Sequence, residues 1–148
     1  MHEASGKLRQ LQAALRLRVL QREKAEMERE RKLQALRAQQ TEMDGLVGQY
    51  EARMVVLRQI KILDPALHEQ RLLAQMSMRA EIDACQKKLE VAREEHRLSL
   101  EAQMARKREE EVMRKACERV SASIRLHRDG LELIDIFDSR RGGVTHGL

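Results

Sequence analysis

A chain of 148 residues with 1% aromatic and 36% charged residues is the size of one domain, but it lacks the large aromatic side chains that fill an ordinary globular core. Its apolar residues are mostly Leu, Ala and Met and its polar ones mostly Arg, Glu and Gln, all good helix formers, so the composition points to long helices or coiled coil. The 42% hydrophobic content and its regular spacing argue against disorder, and the net charge of +5 is spread evenly enough to read as a solvated mixed-charge face, with nucleic-acid binding not indicated.

The opening residues Met1 to Lys7 show no basic-then-apolar signal pattern, and no apolar run approaches the ~20 residues needed to span a bilayer. A cytoplasmic protein without direct membrane insertion is the expectation. A first helix is expected over about residues 6–62. Leu8, Leu11, Leu15 and Val19 start a seam on it, and Leu33, Leu36, Gln40, Met43, Val47, Tyr50, Met54 and Leu57 continue one. Between them, residues 21–32 offer only Ala25 and Met27. Gly45 and Gly48 each cost the helix up to about 1 kcal/mol against Ala. A break there would make three helices, but Val47, Tyr50, Met54 and Leu57 keep the register, so one helix is expected.

The single proline, Pro65, follows Asp64. Proline is tolerated at the first helical position, and Asp is a favoured N-cap. A turn at about 62–65 therefore joins the first helix to a second over about 65–140, an all-α fold of two long antiparallel helices forming an α-helical coiled-coil hairpin. The second helix carries a 4-3 repeat at Met78, Ile82, Cys85, Leu89, Ala92, His96, Ser99, Gln103, Arg106, Glu110, Met113, Cys117, Val120, Ile124, His127, Leu131 and Ile134. Its polar members from His96 to Glu110 form one block. A fold near residue 64 pairs positions whose numbers sum to about 128, which sets this block against the poor stretch 21–32. The seam is then thin in the middle, where few apolar contacts resist opening. Cys85 and Cys117, roughly 48 Å apart along one helix, are out of disulfide reach and read as small buried apolar residues.

The same pairing leaves Ile124, Leu126, Leu131, Leu133, Ile134, Ile136 and Phe137 beyond the start of the first helix, without a partner in the hairpin. Exposed apolar residues on such an extension mark a partner site, with fold-back onto residues 1–7 or self-association as the other outcomes. Arg140-Arg141-Gly142-Gly143 is expected to end the helix, and residues 142–148 to form a flexible tail. Catalytic and metal-binding patterns are missing from the sequence: no phosphate-binding loop, H-E-x-x-H or C-x-x-C occurs, and the five histidines are well separated. The run Glu109-Glu110-Glu111 is expected to pair with Lys115 or Arg114. No enzyme activity, no cofactor and no metal site is expected.

Leu17-Arg18-Val19-Leu20-Gln21-Arg22-Glu23-Lys24-Ala25-Glu26 near the start, and Leu133-Ile134-Asp135-Ile136-Phe137-Asp138-Ser139-Arg140-Arg141 near the end, resemble the corresponding segments of the central stalk proteins of type III secretion, the FliJ/YscO (SctO) family. The ending departs from the family's acidic pair, having Asp135-Ile136 and then Phe137. The resemblance implies a cytoplasmic, non-enzymatic coupling protein, at the cytoplasmic face of the secretion apparatus. It would enter the pore of a hexameric export ATPase at one end and reach the cytoplasmic ring of the export gate at the other. Some members also bind secretion chaperones. Carried onto this chain, the ATPase contacts would be Leu8, Leu11, Leu15, Ile124, Leu131, Ile134 and Phe137. The gate contacts would be Ile60, Ile62, Leu63, Pro65 and Leu67. A generic coiled-coil adaptor or scaffold is the alternative, and a binder of nucleic acid or membrane surfaces through Arg-rich faces a third reading.

Overall fold

The computed structural model describes residues 2–60 and 64–146, with side chains over 3–60 and 64–141. It contains helix α1 (His2–Gln59) and helix α2 (Pro65–His146), and no strand among the described residues. The fold is all-α, two long helices packed against one another. The chain divides into two compact units, Met1–Lys24 with Met104–Leu148, and Ala25–Gln103.

In the unit formed by residues 25–103, α1 and α2 run antiparallel. Lys32 pairs with Glu95, Arg93 donates to Gln40, and Gln75 donates to the backbone carbonyl of Tyr50, so partner numbers fall as α1 numbers rise. The buried residues here are Gln75, Met78, Cys85, Leu89, Ser99 and Gln103, every one on the expected 4-3 seam or its continuation towards the turn. Leu89, 2% exposed, is the most deeply buried large side chain. The connection follows from Asp64-Pro65. The Asp64 carboxylate accepts from the Ala66 amide at 3.0 Å, and its carbonyl accepts from His68 at 3.1 Å. Asp64 is thus the N-cap of α2, and Pro65 fills the first helical position, where a missing N–H costs little. α1 ends at Gln59, earlier than expected, and Ile62 and Leu63 lie outside the described residues.

The other unit is antiparallel as well. Arg18 pairs with Glu109 and Arg22 with Glu110, while Ala4 shares a shallow depression with Ser123, Ile124 and His127. Cys117 and Glu110 are buried. Three expectations are corrected here. α1 starts at His2, one turn earlier than expected, so Ile124 has Ala4 beside it and is half-buried, not unpartnered. The seam then stops: His127, beside Ala4, is already exposed, and Leu131 and Ile134 carry the seam's spacing but are exposed as well, with no described residue of α1 covering them. Finally, α2 does not end at Arg141. Its helical backbone continues to His146, because Gly142 and Gly143 weaken a helix but, unlike proline, still donate its hydrogen bonds.

Candidate functional site

Two surfaces hold the residues singled out above. The first is the part of α2 beyond Ile124. Leu126, Gly130, Leu133, Ile134 and Phe137 follow intervals of four, three, one and three residues, which at 100° per residue places them on one face. Leu126, Leu133 and Phe137 are 73%, 68% and 63% exposed. Every side chain from Leu131 to Arg141 is exposed, so none folds back onto the described part of α1. This stripe does not continue the seam. Its register trails the seam by one residue, a rotation of about 100°. The same arithmetic sets Asp129 and Asp138 along its two borders and Glu132 and Asp135 on the opposite side.

The candidates for ATPase contact therefore separate. Leu8, Leu11, Leu15 and Ile124 are half-buried on the seam. Leu131, Ile134 and Phe137 are exposed to solvent. Leu126, Leu133 and Ile136 join them on the surface, Leu126 and Leu133 within a stripe that a 4-3 repeat running unbroken to Ile134 does not reveal.

The second surface lies beside the turn. Of the gate candidates, Pro65 and Leu67 are exposed and Ile60 is half-buried. Ile60 also lines a groove of about 420 Å³ between the helices, together with Ala52, Val56, Leu57, Ala74 and the buried Gln75. Arg53 of α1 and Arg71 of α2 stand on its two banks. Sequence periodicity does not reveal this groove. It forms where Ala52 and Ala74 leave the interhelical contact shallow, and the one signal available is the pair of arginines flanking apolar positions.

Between these surfaces in sequence, the polar block forms ion pairs. In the unit holding residues 104–148, Glu110 is bound by Arg22 across the helices and by Arg114 at 2.8 Å one turn on, and only 6% of its side chain is exposed. Glu109 accepts from Arg18 at 3.1 Å and from Arg106 at 3.0 Å. Arg114 also reaches Glu111, the local pairing expected, whereas the cross-helix bonds of Glu109 and Glu110 were not. On the exposed face of the other unit, Arg97 bonds Glu94 and Glu101. Its hydrogen bond holds the Glu94 carboxyl below the usual range, and the two carboxylates push Arg97 up, the bond to Glu94 first.

No His, Cys, Asp and Glu cluster among the described residues could hold a metal ion, and no described helix is long and apolar enough to cross a membrane. Compared with known proteins, the chain matches no family model, no curated protein and no solved structure. The described residues leave two largely apolar surfaces in solvent, one a helix face and one a groove.

Proposed function

We propose that the chain is a non-enzymatic central stalk of a bacterial type III secretion apparatus, acting in the cytoplasm. In this reading the extension of α2 beyond Ile124 inserts into the hexameric export ATPase, and the turn region meets the export gate, with secretion chaperones as further partners. The observation that carries it is the extension itself: a helix that outruns its partner and leaves Leu131, Ile134 and Phe137 in solvent. A ring pore admits such a single helix further than it admits a pair. Leu8, Leu11, Leu15 and Ile124 then serve by holding the coil that supports it. Pro65, Leu67 and Ile60, with Ile62 and Leu63, are the gate-facing set.

The test is direct. Purified chain is added to the type III ATPase, and both co-sedimentation and ATP turnover are measured. Binding with altered turnover is expected. Absence of both would remove the stalk reading and leave a coiled-coil adaptor.

A further inference from the structure

The extension and the groove are complementary to each other. Residues 129–138 carry four carboxylates and no basic side chain, while residues 51–79 carry five Lys and Arg against three acids. Neither Arg53 nor Arg71 is engaged by a carboxylate among the described residues, in contrast to Arg18, Arg22 and Arg114. Asp129 and Asp138 are likewise without an ion-pair partner among the described residues. The dimensions agree too. The groove lining spans residues 52–60 of α1, about 12 Å at the helical rise, and the stretch from Gly130 to Phe137 covers about 10 Å. A stripe with one carboxylate on each border meets a largely apolar groove with one guanidinium from each helix.

We propose that the Gly130–Phe137 face of one copy of this chain docks in the groove beside Arg53 and Arg71 of a second copy. Leu133, Ile134 and Phe137 cover Val56, Leu57 and Ile60, with Asp129 and Asp138 paired to the two arginines. Docking between two copies of the stripe itself is disfavoured, since it sets Asp129 and Asp138 of one copy against those of the other. The contact joins two different surfaces, so it is heterologous, and each copy offers both a groove and a tip. A face of about two helical turns buries less than the ~1,200–2,000 Å² of a tight interface, so association belongs in the micromolar range. The inference stands without the secretion reading. It supplies a stored form in which both docking surfaces are covered.

Sedimentation velocity over about 1–300 μM at low salt tests it. The weight-average mass should rise with concentration from the 17.2 kDa of one chain. Asp129→Arg with Asp138→Arg, or Arg53→Glu with Arg71→Glu, should each weaken association on the order of tenfold. All four reversals in one chain should restore it to within about threefold of the unaltered protein. A single 17.2 kDa species at every concentration overturns the proposal. So does an unweakened reversed variant, or a fourfold variant that is helical and does not recover. Should a reversed variant lose its helical circular dichroism, Phe137→Ala and Arg53→Gln carry the same comparison. Each should weaken association about threefold or more, and no change in either would dismiss the contact.

Discussion

The Glu110 carboxylate is held between Arg22 and Arg114 with 6% of its side chain in solvent, while the two arginines remain 25% and 48% exposed. That asymmetry decides what each substitution does. Arg22→Ala leaves a buried carboxylate with one of its two partners. Loss of a partner from a fully buried pair costs about 3–5 kcal/mol, and the remaining Arg114 and the solvation of Arg22 bring the expected cost to about 2 kcal/mol. Glu110→Leu removes the buried charge itself, and both arginines can turn their heads to water, so its cost should stay under about 1 kcal/mol. Urea unfolding of the two variants ranks them, and a larger loss from Glu110→Leu would mean the network stabilises through attraction more than it costs in desolvation. Arg97 offers a solvent-exposed contrast. Its bond to Glu94 lowers a carboxyl that ordinarily titrates near 4.5, so whatever stability it gives is present above that value and fades as pH falls through the lowered one. Arg97→Gln should move the Glu94 titration, followed by carboxyl NMR, back up toward its ordinary position without measurable change in stability at neutral pH.

At the level of the helices, α1 passes through Gly45 and Gly48 without interruption, and a Cβ at either would meet nothing within 4 Å. Neither glycine has a positive φ, so neither is needed for conformation. Ala at both positions should stabilise the chain by about 0.5–1 kcal/mol each, seen as a higher thermal midpoint. An unchanged or lower midpoint would mean that the native state needs flexibility at these positions. The long helices and their turn were legible because their signals are local: the Asp64-Pro65 cap, and a 4-3 repeat that the burial of Met78, Cys85, Leu89 and Cys117 follows. The polar block misled. Hydropathy alone makes Ser99, Gln103 and Glu110 a thin stretch, yet all three are buried; the Ser99 hydroxyl donates to the His96 carbonyl and Glu110 is held by two arginines, so groups that a hydropathy pattern counts as solvated find partners inside. The limits of pairing were also hidden. Whether Ile124 has a neighbour depends on where α1 begins, and a start at His2, with Ser5 and Gly6 inside the helix, has no strong cap to announce it. The Arg53–Arg71 groove is a product of two helices together and cannot be seen along either sequence.

For the molecule as a working part, the telling experiment separates what folds the chain from what it presents. Residues 131–141 of α2 bury nothing against the described residues of α1, whose Ala4 lies beside Ser123, Ile124 and His127. Stability comes from buried apolar area and satisfied polar groups, so a segment contributing neither should be dispensable to the fold. Truncation after Gly130 should therefore reduce helical circular dichroism only in proportion to the residues removed and leave the unfolding midpoint within a few degrees of the full chain. The same truncation should abolish binding to the type III ATPase in the proposed reading, because it deletes Leu131, Ile134 and Phe137 while sparing Leu8, Leu11 and Leu15. A truncated chain that stays folded and binds as before would move the contact from the exposed extension to the paired coil. One that unfolds would show that residues 131–141 have a stabilising neighbour. The outcome is read from two independent signals, so loss of binding cannot be mistaken for loss of structure.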